Sequence, residues 1–198
     1  MRLAYSLRRL VMKTIIHLLI SGAIIASGSG CHSNNMEHKD TVMGAAQAPK
    51  HTGGTASDDE AAIRALEDRF TAAFNAGDID AMMKNYIPDK SLVVFDVVPR
   101  KQYLGADAYR EDWVDFFSHF RETPKITITD LGITVDGNIG FSHSFQHVMG
   151  IDKQGNSINR TVRVTDGYRK IGGNWLIVLE HVSVPVNMKT GKADLTNE

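Results

Sequence analysis

The stretch from Lys125 to Val186 constrains the fold more than any other part of the chain. Four runs rich in β-branched and aromatic residues follow one another: Lys125 to Val135, Ile139 to Ile151, Ser157 to Ile171 and Trp175 to Val186. Asp136-Gly137-Asn138, Asp152 to Asn156, and Gly172-Gly173-Asn174 separate them. Short Asp-Gly and Gly-Gly connections between such runs are hairpin signals. Consecutive hairpins build an antiparallel meander.

Helical spacing precedes the strands. Ser57-Asp58-Asp59-Glu60 reads as a capping box, and Ile63, Leu66, Phe70, Ala73 and Phe74 recur behind it at helical intervals. Gly77 ends this helix, and Asp78 caps a short second one through Met82, Met83 and Tyr86 that Pro88 closes. Ser91 to Val98 is a β-rich run that Pro99 breaks, with Gln102 to Leu104 as a short return strand. Gly105 opens a third helix, where Tyr109, Trp113, Phe116, Phe117 and Phe120 form one aromatic stripe. Helices first and a long meander after them predict an α+β domain with the helices on one sheet face.

The N-terminus reads as a processing signal rather than as fold. Arg2, Arg8, Arg9 and Lys13 precede an apolar stretch from Ile15 to Ala26, and the small residues Ser27 to Gly30 follow. Basic, apolar, small is the order of a secretory signal peptide, expected over residues 1–30. Cys31 comes next and is the only cysteine, so no intramolecular disulfide can form. Its position resembles a bacterial lipoprotein signal, with lipidation at Cys31 or ordinary cleavage near Ser27 to Gly30 as alternatives. An uncleaved membrane anchor is the third. Residues 31–56 carry no period and read as a flexible tether, which leaves 57–198 as one domain. An exported, periplasmic or cell-envelope protein is expected, touching the membrane only through its N-terminus.

The formal charge of the whole chain is −1. Taking the four cations of the leader from the 22 Lys and Arg leaves 18 against 23 Asp and Glu. Without a basic stripe, nucleic acid is not an expected partner. No phosphate-cradling glycine loop, nucleophile elbow or metalloprotease motif occurs, so no cofactor is expected.

This order of motifs resembles the nuclear transport factor 2-like, or ketosteroid isomerase-like, superfamily in its SnoaL-like branch. The residues that carry it are Gly77-Asp78, Tyr86, Phe95-Asp96, Gly105 with Ala108, and Trp113. The strongest stretch is Arg163-Val164-Thr165, then Arg169 to Trp175, then His181-Val182-Ser183-Val184-Pro185. The resemblance spans residues 58–188. It implies a cone: helices packed on a strongly curved mixed or antiparallel sheet that encloses a pocket. It also implies a homodimer formed through the outer sheet face. Reactions in the superfamily include isomerisation, cyclisation, dehydration and hydrolysis, and other members only bind or assemble, so the fold does not choose among them.

Strand alternation puts Trp175, Ile177, Leu179, His181 and Ser183 on one face of the last run. Leu176, Val178, Val182 and Val184 fall on the other, with Glu180 among them. His181 is therefore a candidate acid, base or hydrogen-bond donor, or a structural histidine bonded to a carbonyl. Arg163, between Val162 and Val164, either holds an anionic ligand, pairs with Asp96, or faces outward into a dimer salt bridge. Asp96 is a second candidate base or a turn cap before Pro99, and Tyr86 is a candidate phenolic donor. Thr165 and Ser183, from the matched stretch, join the ligand-binding set. Trp113, Phe117, Phe141 and Phe145 are pocket wall or core. His143 and His147, four apart on a strand, are about 13 Å apart and do not grip one ion, so no metal site is expected.

Three functions fit these residues. The first is binding of a small, partly apolar and anionic molecule, with Arg163 as anchor. The second is an isomerase or lyase that takes a proton beside a carbonyl, with His181 or Asp96 as base. The third is a dimerisation or scaffold domain with a filled cone.

Overall fold

The computed structural model describes residues 55–196. Helix α1 spans Ala56–Ala76, α2 Ile79–Met83 and α3 Ala106–Ser118. The strands are β1 (Val93–Phe95), β2 (Tyr103–Leu104), β3 (Lys125–Asp136), β4 (Ile139–Ile151), β5 (Ser157–Ile171) and β6 (Asn174–Ser183). All six form one sheet in the order β2-β1-β6-β5-β4-β3. β3 to β6 are the expected meander, and β1 joins its far edge by running parallel to β6. The leader, Cys31 and nearly all of the tether lie outside the described residues.

Helix α1 starts before the expected cap. Thr55, not Ser57, is its N-cap: the Thr55 hydroxyl accepts the Asp58 N–H at 3.3 Å, and the Asp58 carboxylate accepts the Thr55 N–H at 3.0 Å. Thr55 with Asp58 thus satisfies two donors reciprocally, as a capping box does. At the other end Gly77 takes φ 71°, a left-handed conformation that glycine adopts without strain. The Asp78 carboxylate then accepts the Ala81 N–H at 2.9 Å and opens α2.

The buried stripe of α1 is Ile63, Leu66, Phe70, Ala73 and Phe74. It packs on one face of the sheet, where Ile126, Tyr168, Trp175 and Ile177 are buried with it. The aromatic stripe of α3 closes this layer. The Phe74 ring lies 5.8 Å from Trp113 and 5.1 Å from Phe117. A clamp fixes the start of α1 to the β5–β6 hairpin: the buried Asp59 carboxylate accepts from Lys170 Nζ at 2.6 Å and from Trp175 Nε1 at 3.1 Å. These two donors hold the Asp59 carboxyl below its ordinary range.

A bulge in β6 decides which residues face the helices. Tyr168 pairs with Ile177, but the preceding Gly167 pairs with Leu179, so Val178 is an extra residue with no partner on β5. One extra residue inverts the alternation beyond it. Trp175 and Ile177 point inward as expected. Past the bulge, Glu180 is buried while His181 is exposed. The strict two-residue count that put His181 beside Ile177 fails for this reason.

Candidate functional site

The inverted register lines up a row of side chains across the helix-covered face. Ser142 on β4 pairs with Asp166 on β5, Asp166 with Glu180 on β6, Glu180 with Val94 on β1, and Val94 with Tyr103 on β2. Directly opposed residues of one face sit about 5 Å apart at Cβ, so the Asp166 and Glu180 carboxyls are neighbours. They are 2 % and 5 % exposed, and Glu67 on α1 is 3 % exposed.

Phenols donate to two of these acids. The Tyr86 hydroxyl, just beyond α2, donates to Glu180 Oε2 at 2.6 Å. The Tyr109 hydroxyl on α3 donates to Glu180 Oε1. The Tyr168 hydroxyl donates to Glu67 Oε1 at 2.6 Å and lies 2.7 Å from Ser142 Oγ. Two hydrogen-bonded groups result, Tyr86 and Tyr109 on Glu180, and Tyr168 between Glu67 and Ser142, side by side on β4, β5 and β6 beneath α1 and α3.

Burial lifts Glu180 to about 7, although Tyr109 and Tyr86 both stabilise its charged form. Burial also lifts Asp166 well above its ordinary value, and the nearby Glu180 and Glu67 charges add to the lift. Glu67 is raised by burial too, with the Tyr168 hydroxyl opposing. Three acids crowded in low dielectric do not all ionise, so the cluster holds protons near neutral pH. A carboxyl poised there is matched to general acid–base work, and the phenols are ready donors to an oxygen.

Two polar atoms in this layer stay unsatisfied. Asp166 Oδ1 and Trp113 Nε1 are buried without a hydrogen-bond partner. The Trp113 ring lies 5.4 Å from the Tyr109 ring, so the orphan indole sits beside the phenol that binds Glu180. The cluster is otherwise enclosed by the rings of Phe70, Tyr86 and Tyr109. Two surface grooves, one along Pro185 to Asp194 and one between Arg69 and Asn85, lie outside it.

The residues singled out from sequence divide between two faces. Tyr86 is inside and bonded to Glu180. Trp113 and Phe117 are half-buried in the aromatic layer of α3. Asp96 is half-buried at the rim, where its carboxylate accepts the Val97 N–H, the turn-capping arrangement. Burial raises Asp96, the Val97 bond opposes this, and the Asp112 charge adds to it.

His181, Arg163, Thr165, Ser183 and Phe145 lie together, but on the outer face. His143, Thr165, His181 and Phe95 form one row across it, and Phe145, Arg163 and Ser183 the next. The His181 ring meets the Phe95 ring edge-on at 5.8 Å and has no place in the inner cluster. Arg163 is exposed and makes no ion pair with Asp96. Of its three readings, the geometry matches the outward one and not the pairing with Asp96: Arg163 opposes the outward Phe145, while its neighbour Val164 is buried. Phe141 and Phe145 belong to this outer face rather than to a pocket wall. His147 Nδ1 lies 2.8 Å from Thr161 Oγ1, and no three metal-ligand side chains converge among the described residues.

Sequence reasoning missed Glu180, Asp166 and Glu67. The usable signal was an acid inside an apolar strand, as in Leu179-Glu180-His181-Val182 and Val164-Thr165-Asp166, together with a strand-interior glycine, Gly167, at the bulge.

The same architecture occurs in solved structures. A nuclear transport factor 2-like protein of unknown function from Pseudomonas putida KT2440 is 27% identical, with a TM-score of 0.64, over 72% of this chain and 97% of that one. A nuclear transport factor 2-like superfamily protein from Salmonella enterica is 18% identical, with a TM-score of 0.61, over 69% and 97%. A proposed dehydratase of the same family from Streptomyces avermitilis is 17% identical, with a TM-score of 0.56, over 65% and 97%. No curated protein matches the chain. The family model of the SnoaL-like domain matches residues 63–187, and the chain belongs to that family.

Proposed function

We propose that the domain binds a small, partly apolar molecule against the inner acid–phenol cluster and exchanges a proton with it through Glu180. One observation carries this reading: a buried carboxyl set near neutrality between two phenols and opposite a second acid. Deprotonated Glu180 would take a proton from carbon beside a carbonyl. Once Glu180 is protonated, the Tyr86 and Tyr109 hydroxyls are free to donate to the developing oxyanion. Isomerisation and dehydration both contain this step. The base is Glu180 in place of His181 or Asp96, and the acidic interior disfavours a carboxylate ligand. The domain works outside the cytoplasm, tethered by a lipid on Cys31 or by its leader.

Exchange of α-hydrogens tests the proposal. Incubated with cyclic ketones in heavy water, the protein is expected to speed deuterium incorporation, followed by NMR. Glu180→Gln is expected to lower that rate at least about a hundredfold, the scale of a general base. A wild-type rate equal to buffer contradicts the reading.

A second role rests on the outer face. Ile139, Phe141, Phe145, Met149 and Ile151 alternate along β4 and are all exposed. An apolar face of this size is an association surface, and a second copy of the chain is the occupant we propose. Light scattering is expected to give a dimer mass, and Phe141→Asp to give the monomer. A monomeric wild type at tens of micromolar contradicts it.

A further inference from the structure

We propose that the outer face carries an acid-sensitive switch: His143 and His181, seated among its apolar residues with no carboxylate beside them, release the second copy of the chain when they take up protons. The inference rests on the self-association reading above and adds its control by pH.

Position is the first argument. His143 stands between Phe141 and Phe145 on the outward side of β4, and all three are exposed. A partner that covers both phenylalanines covers the imidazole as well. The ring also has a built seat. β3 bulges between Thr129 and Gly132, with Asp130 at φ 52°, and this sets Gly132 opposite His143. A Cβ at Gly132 would stand 2.7 Å from His143 Nε2, so any side chain there would push the ring off β3. His181 is exposed in the same cross-strand row, reached through Thr165, and its ring meets Phe95 edge-on at 5.8 Å.

Charge is the second. The groups that face the two rings are Thr129 and Thr134 on β3, Arg163 and Thr165 on β5, Leu179 and Ser183 on β6, and Phe95 on β1. Arg163 is the charged group among them, and it is a cation. The nearest acids stand at the margins. Asp130 is in the bulge of the edge strand β3, Asp136 is at the far end of β3 beside Ile139, and the Asp96 carboxylate turns to the Val97 N–H. The ion pairs among the described residues include no histidine. His147 stands apart from the switch: its Nδ1 lies 2.8 Å from Thr161 Oγ1, and the C-terminal tail, with Asp194, runs beside Thr161 through the Leu195 carbonyl.

Histidine is the side chain whose charge changes between pH 5 and pH 8. An imidazolium taken out of water beside a guanidinium, with no carboxylate, is strongly disfavoured. Association therefore holds both imidazoles neutral, and each copy brings the same pair. A group that must be neutral to be covered supports association at high pH and opposes it as pH falls. The fold responds in the opposite sense. Burial raises Glu180, Asp166 and Glu67, which favours the folded chain at low pH. Acid thus separates the copies without unfolding them.

Analytical ultracentrifugation of the protein at pH 8 and pH 5.5 reads the switch. The dimer is expected to be at least about a hundredfold weaker at pH 5.5, with the circular dichroism spectrum unchanged. The double variant His143→Gln, His181→Gln is expected to stay dimeric at both pH values, because Gln takes up no proton. Should that variant fail to pair at pH 8, calorimetric dilution of the wild type at pH 6, in buffers of different ionisation enthalpy, decides the matter: proton uptake on dissociation supports the switch, and none overturns it. A wild-type dimer no weaker at pH 5.5 than at pH 8, or a double variant that still dissociates in acid, overturns the switch and leaves the self-association reading standing. A wild type that is monomeric at pH 8 and tens of micromolar overturns both.

Discussion

Between pH 5 and pH 8.5 the protein is expected to lose about 3 kcal/mol of unfolding free energy, and Glu180→Gln is expected to remove most of that loss. The folded-state value of Glu180 is about 7, against an ordinary value of 4.5. A raised acid binds its proton more tightly in the folded chain. Its contribution to stability is complete below the unfolded value and is lost as pH rises through the folded one. Glu67 and Asp166 are raised as well and push in the same direction. Gln keeps the volume and an acceptor for one phenol but cannot ionise. Urea unfolding across the pH series measures both slopes. Below this window the ordinary acids act oppositely. Asp59, Asp89 and Asp152 are depressed by hydrogen bonds, so their contribution is present above the unfolded value and fades as pH falls.

Phe74→Ala is expected to cost about 3–5 kcal/mol, while Phe145→Ala changes folding stability of the single chain by less than about 0.5 kcal/mol. Phe74 is fully buried and its ring meets Phe70, Trp113, Phe116 and Phe117. Truncation there leaves a cavity between α1 and α3 that the rigid sheet beneath cannot collapse to fill. Phe145 is 36 % exposed on the outer face. Its removal should show in the dimer equilibrium instead. Equal unfolding midpoints for the two variants, at a concentration where the chain is monomeric, would refute this assignment of faces.

The contrast marks where sequence is readable. Hairpin glycines, the Gly77 stop and the helical stripe of α1 are local signals, and each sits where expected. The parallel addition of β1 to β6 is non-local, and neither strand alone announces it. The site was hidden by one residue. Period-two counting holds for Trp175 and Ile177, then Val178 takes an extra place and every later side chain changes face. His181, Arg163, Thr165 and Ser183 share a surface, but that surface faces away from the helices and from Tyr86, Trp113 and Phe117. Glu180 was read as an interruption of an apolar face. It is the residue around which Tyr86, Tyr109 and Asp166 are arranged. Tyr86 was legible as a donor, but its acceptor, ninety-four positions on, was not.

The central claim is that a proton-holding carboxyl centre lies beneath α1 and α3. Carbon-13 NMR of side-chain carboxyls, followed from pH 4 to pH 9 in wild type and in Glu180→Gln, tests it most directly. The account predicts one carboxyl signal with a midpoint near 7 that is absent from the variant. If every carboxyl has finished titrating by about pH 5.5, within the ordinary carboxylate range, no such centre exists and the account is contradicted.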